Sequence, residues 1–173
     1  LLLATWSIQH FGSSERYDES FWYIAEVLSR FDLIAIQEVK QSLHDLEVVT
    51  QLLGPWWRYI VSDVTMGDPG NRERLAYLFD SRKARFSGLA GEIVLPAIKD
   101  EAGNEYPARQ LVRTPYMAGF QSGWFEFILS TVHLLWGEEE ADFAPRVEEV
   151  QQLTDFLVKR RSEHGAWSRN IIL

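Results

Sequence analysis

With no cysteine among its 173 residues, the chain excludes disulfides, zinc–thiolate centres and cysteine nucleophiles. A net charge of −8 argues against a nonspecific nucleic-acid binder, which is ordinarily basic. It leaves room for an enzyme that reaches phosphates through a metal ion and a few local arginines. Hydrophobic residues at 46% and charged residues at 24% make a globular profile, and the length suits one domain, residues 1–173, with a real core. In chain order, Leu2 to Phe11 reads as a first strand, ending near Gly12-Ser13-Ser14. Tyr17 to Arg30 reads as a helix capped by Asp18 or Ser20, with Phe21, Ile24, Ala25 and Leu28 at helical spacing. Leu33 to Val39 is an apolar run of the kind covered on both faces, and it ends on Glu38.

Ser42 to Leu53 reads as a second helix, stopped by Gly54-Pro55. Arg58 to Val64 is a strand, Met66 to Arg72 a loop, Leu75 to Phe79 a strand, and Phe86 to Leu95 strand-rich. Ala97 to Arg109 reads as an exposed loop. Gln110 to Phe120 and Trp124 to Leu134 are two strands turning at Gln121-Ser122-Gly123, with Phe125, Phe127, Leu129, Thr131 and His133 on one face. Gly137 to Ala144 is an acidic loop. Pro145 to Arg161 is a third helix with Val147, Val150, Leu153 (or Thr154) and Leu157 as its stripe, and Asn170 to Leu173 opens a further strand. This order gives an α/β or α+β layered domain with helices covering sheet, and α+β is the class expected. Leu1-Leu2-Leu3 lacks a basic n-region, and no apolar run approaches a membrane span, so no membrane partner and a cytoplasmic location are expected.

Polar residues stand at the ends of several apolar strands: Ser7, Gln9 and His10 after the first, Glu38 after the second, Arg113 before Pro115, and His133 at the end of the aromatic strand. Gathered at one rim, they would supply a carboxylate for a hard cation, a phosphate-pairing arginine and a histidine for acid–base or electrostatic work. That inventory suits phosphoester hydrolysis. Taken singly, a strand histidine is more often structural, and an arginine before proline is ordinary surface.

Thr5-Trp6-Ser7-Ile8-Gln9-His10-Phe11, Ile36-Gln37-Glu38-Val39, Arg74-Leu75-Ala76-Tyr77-Leu78-Phe79, Arg113-Thr114-Pro115-Tyr116 and Thr131-Val132-His133 occur in this order. Together they resemble the endonuclease/exonuclease/phosphatase superfamily, the deoxyribonuclease I-like fold, in its N-terminal portion. The resemblance implies a truncated layered sandwich of two β-sheets flanked by helices, with Mg2+ at the sheet rim (Mn2+ or Ca2+ as alternatives). It implies Glu38 as metal ligand, Arg113 on the substrate phosphate, His133 near the leaving group, and Tyr77 as an active-site or substrate-contacting tyrosine. The family motif Trp-Asn-Ile carries Ser7 here in place of the asparagine, a shorter group without the amide's paired donor and acceptor. In the family, the strand matching Asn170-Ile171-Ile172-Leu173 runs into Gly-Asp-Phe-Asn, whose Asp and Asn handle water and phosphate. The expectation is therefore a metal-dependent, nuclease-like phosphodiester hydrolase, with DNA as the foremost substrate, that is weak or inactive as this chain alone. The alternative is a non-catalytic half-domain that exposes the inner face of its sheets and covers it by homodimerisation.

Overall fold

The computed structural model describes residues 1–12, 16–65, 72–134, 143–163 and 167–173. Its elements are β1 (Leu3–Phe11), α1 (Asp18–Leu28), β2 (Leu33–Val39), α2 (His44–Leu53), β3 (Trp57–Val61), β4 (Arg74–Asp80), β5 (Arg85–Glu92), β6 (Ile98–Lys99), β7 (Glu105–Tyr106), β8 (Tyr116–Ser122), β9 (Phe125–Thr131), α3 (Phe143–Ser162) and β10 (Ile171–Ile172). Three expected segments lie wholly or partly outside the described residues: the end of the first turn at Ser13-Ser14, most of the 66–72 loop, and most of the 137–144 loop. No helix among the described residues is long and apolar enough to cross a membrane.

Two four-stranded sheets form, in the orders β1-β2-β4-β3 and β10-β9-β8-β5. In the first, β1 and β2 are parallel and β4 runs antiparallel to β2. The alternation of strand side chains decides what lies between the sheets. Leu33, Ala35, Leu75, Tyr77 and Phe79 from one sheet meet Tyr116, Ala118, Phe120, Phe127 and Leu129 from the other. The opposite side chains of the first sheet, Ile34, Ile36, Ala76 and Leu78, pack under Phe21, Ile24 and Leu28 of α1 and Leu46 and Val49 of α2. Leu153 and Leu157 of α3 cover the outside of the second sheet with Ile93, Leu95 and Leu111. The result is helix, sheet, sheet, helix. β2 is hydrophobic without alternation because both its faces are buried.

Several local expectations change. α1 starts from Tyr17 without a side-chain cap; Asp18 and Glu19 instead place carboxylates in its first turn, where the helix dipole favours them. Val147 and Val150 of α3 are exposed, and Glu149 turns inward to accept the Val112 N–H at 2.9 Å. The strand expected from Gln110 begins only at Tyr116. Before it, the Val112 N–H goes to the Glu149 carboxylate, the Gln110 side chain brackets the Leu95 N–H and carbonyl, and the Pro115 carbonyl accepts from the Ile93 N–H. The strands expected over 58–64 and 86–95 end earlier, at Val61 and Glu92. The exposed segment 97–109 contains the small β6–β7 ladder. The β8–β9 turn sits at Gly123-Trp124, one step later than expected, with Gly123 at φ +58.

The expected exposed inner face is also corrected. The two sheets of this one chain cover each other through the Tyr77–Phe120–Phe127 core. What stands open are the sheet edges, β1 and β3 in one sheet and β10 and β5 in the other. Between β1 and β10 lies an apolar cleft of about 280 Å³, lined in part by Leu3, Thr5, Ala35, Leu129 and Ile172.

Candidate active site at the sheet rim

Strand direction alone brings the polar residues together. β1 and β2 are parallel, so their C-terminal ends share a rim. β4 runs back along β2, so its first residues start at that same rim. Across the sandwich, the end of β9 and the start of β8 pair at Thr131–Tyr116. Gln37 joins the sheets there: its amide donates to Thr131 Oγ1 at 2.8 Å, wholly buried, and to Thr5 Oγ1 at 3.0 Å. Ser7, Glu38, Arg113 and His133 all follow onto this rim.

Glu38 adopts a left-handed backbone, φ +64, at an irregularity in the β1–β2 and β2–β4 pairings; His10, facing it, is also left-handed at φ +53. A non-glycine residue there stores strain, which persists only where surrounding contacts over-determine it. Gln37 and Val39 on either side are buried, while the Glu38 carboxylate is turned out to the rim. Ser7 Oγ donates to its Oε1 at 2.6 Å, and the His10 N–H to its Oε2 at 3.3 Å. Burial raises the Glu38 pKa, but the Ser7 and His10 hydrogen bonds outweigh it, and the group ionises below its ordinary 4.5. The short Ser7 side chain thus reaches the carboxylate directly.

Glu73, which precedes β4, is the hub. Its side chain is 5% exposed, and Lys40 Nζ stands 2.9 Å from one oxygen. Arg113 Nε and His133 Nδ1 each stand 2.9 Å from the other. Burial alone would raise its pKa; the His133 and Lys40 hydrogen bonds and the Arg113 charge bring it down to about 2. An ionised carboxylate only accepts, so His133 Nδ1 must carry the proton, and Nε2 is the nitrogen able to take or give one. Arg113 also lies 3.5 and 3.4 Å from the carbonyls of His133 and Leu134, which ties it to the histidine's own backbone.

Of the sequence-derived residues, the structure gathers Ser7, Glu38, Arg113 and His133 and sets Tyr77 apart. Tyr77 is fully buried between the sheets, its hydroxyl 2.7 Å from the carbonyls of Tyr116 and Leu129. Burial pushes its pKa well above 10. It holds two strands of the opposite sheet and does not open on the rim. Sequence reasoning passed over Glu73 and Lys40. Both were adjacent to quoted motifs: Glu73 immediately precedes Arg74-Leu75, and Lys40 follows Glu38-Val39.

For a cation, Glu73 is already matched by its three partners, which leaves Glu38 as the carboxylate open to one. Among the described residues no group of three or more His, Cys, Asp or Glu forms a ligand cluster. One hard oxygen ligand with water filling the other positions fits Mg2+, which keeps most of its waters.

No family model matches the chain. It is 28% identical over 170 residues to a protein named deoxyribonuclease from Thioalkalivibrio sp. (strain K90mix), covering 95% of this chain and 43% of that protein. An endonuclease/exonuclease/phosphatase family protein from Bacteroides thetaiotaomicron superposes with a TM-score of 0.59 at 18% identity, over 91% of this chain and 58% of the other. D. rerio TDP2, solved with a single-strand DNA product, superposes with a TM-score of 0.60 at 13% identity, over 96% and 56%. The chain therefore spans under half of its curated relative and under two thirds of these structures. The fold is the deoxyribonuclease I-like sandwich of endonuclease/exonuclease/phosphatase proteins, and the match covers a portion of it.

Proposed function

We propose that this chain carries the cation and leaving-group side of a metal-dependent, nuclease-like phosphodiester hydrolase. The single observation behind this reading is the Glu73-held imidazole on the same rim as the strained, ionised Glu38. Glu38 would hold Mg2+ (or Mn2+), with Ser7 and the His10 N–H fixing the direction of its carboxylate. The metal would polarise the phosphate when bound. Lys40 and Arg113 would add positive charge toward the phosphate. His133, its Nδ1 proton held by Glu73, would present Nε2 to the oxygen that gains or loses a proton. DNA is the substrate this reading favours.

Supercoiled-plasmid nicking with Mg2+, by the protein that carries this chain, tests it. H133A and E38A are each expected to lower the rate by about a hundredfold or more. An H133A protein that nicks at the parental rate overturns the assignment. Among the described residues Glu38 is the one rim carboxylate without a cationic partner and His133 the imidazole held by a carboxylate, and catalytic groups act as a unit, so the 173 residues by themselves are expected to turn over slowly. Rapid Mg2+-dependent nicking by them, lost in E38A, overturns that expectation.

A second reading is a non-catalytic unit that self-associates. The open β1 and β10 edges and the apolar cleft between them favour it, because unpaired edges beside apolar surface invite a further strand. Sedimentation at high concentration decides it: a dimer supports this reading, and a monomer removes it.

A further inference from the structure

We infer that the end of the sandwich opposite the rim binds single-stranded nucleic acid. β4 leaves the rim at Arg74 and delivers its last residue, Asp80, about 20 Å away, at roughly 3.3 Å per residue. There the β4–β5 turn and the β8–β9 turn enclose a polar pocket of about 320 Å³, lined by Ser81, Arg82, Lys83, Arg85, Gln121 and Gly123. Three basic side chains thus stand together in a protein whose net charge is −8.

The charges are not equivalent. Arg82 grips Asp80 with Nε at 2.9 Å and a terminal nitrogen at 2.6 Å, so its guanidinium is fixed and its charge matched. Lys83 and Arg85 have no carboxylate within ion-pair distance among the described residues; Arg85 donates to the neutral Gln121 amide. Two positive charges are left over at the pocket mouth, beside polar walls that suit phosphate oxygens.

Aromatic surface flanks this charge. Trp124, directly after Gly123, is 99% exposed at the turn. Trp56 is half-exposed, and the Arg82 guanidinium lies 5.8 Å from its ring centroid. The Trp56 carbonyl accepts from both the Ser81 N–H and hydroxyl, which anchors that aromatic against the basic turn. A lone cationic pocket takes any anion. Unmatched cations next to open indole faces select a chain with phosphates and unstacked bases, because bases stack on aromatic rings while the backbone meets the charges. In a duplex the bases are already stacked on one another. The inference needs no hydrolysis at the rim and stands apart from that reading.

Fluorescence anisotropy of a fluorescein-labelled oligodeoxythymidylate 12-mer, in EDTA so that no cation occupies the rim, tests it. The parent protein is expected to bind at low salt. K83E/R85E is expected to weaken binding tenfold or more and to reduce the slope of log K against log salt by about 1.4, near 0.7 per lost phosphate contact. W124A is expected to weaken binding about fivefold or more and leave that slope unchanged. All three positions are exposed, Lys83 and Trp124 in turns and Arg85 at the start of β5, and circular dichroism checks that the variants fold. No binding by the parent, or pole variants that bind as it does, overturns the inference. So does an unchanged W124A affinity together with equal competition by polyglutamate, which would make the patch a general polyanion surface.

Discussion

Replacing Glu73 by glutamine keeps the shape of the buried hub and removes its charge. Lys40 and Arg113, whose side chains are 14% and 11% exposed, then lose their shared counter-ion. The Glu73 carboxyl is lowered from 4.5 to about 2. Converted at the usual factor per pKa unit, that difference is on the order of 3 kcal/mol, and screening at the solvent-facing rim reduces it to about 2 kcal/mol. Because the folded-state pKa is the depressed one, this stability is complete above pH 4.5 and disappears as pH falls toward 2. Urea unfolding of the parent and E73Q is expected to show a gap of about 2 kcal/mol at pH 7. The gap should hold to about pH 5 and shrink to under half by pH 3, where the parent carboxyl begins to protonate. A gap that stays constant between pH 7 and pH 3, or no gap at all, refutes the claim that an ionised Glu73 organises the rim.

Tyr77→Phe removes the hydroxyl held between two buried carbonyls and is expected to lower stability by about 1–2 kcal/mol in thermal unfolding. Mn2+ binding, followed by paramagnetic resonance, should be unchanged; its loss would return Tyr77 to the site. Gly12→Ala faces two obstacles, a backbone at φ +97 and a new Cβ placed 2.2 Å from the Ser42 carbonyl oxygen. It is expected to lower the denaturant midpoint by the equivalent of about 2 kcal/mol or more, and a neutral result contradicts the close β1–α2 approach. Glu38→Gly relieves a left-handed residue and is expected to raise stability by about 0.5–1 kcal/mol while abolishing Mn2+ binding. A destabilised Glu38→Gly protein would show that its hydrogen bonds to Ser7 and His10 outweigh the strain.

Periodicity and strand-end chemistry carried much of this molecule by themselves. β2 was legible over its full range because a strand buried on both faces leaves an unbroken apolar run. The cores of α1 and α2 were legible because their stripes meet sheet directly. Glu38 and His133 were legible because an ionisable residue ending such a strand stands out from it. Other features needed the third dimension. The α3 stripe misled because Glu149 is turned inward by a backbone donor, Val112, that lies 37 residues away. Tyr77 sits inside a quoted motif, yet strand alternation sends its ring between the sheets. Glu73 reads in the sequence as one more charged residue after a loop. Only antiparallel β4 beside β2, facing the end of β9, brings it within 2.9 Å of Lys40, Arg113 and His133, and that convergence makes it the hub. One-dimensional order thus marked which polar residues follow apolar strands. The pairing directions of the two sheets decided which of those ends meet.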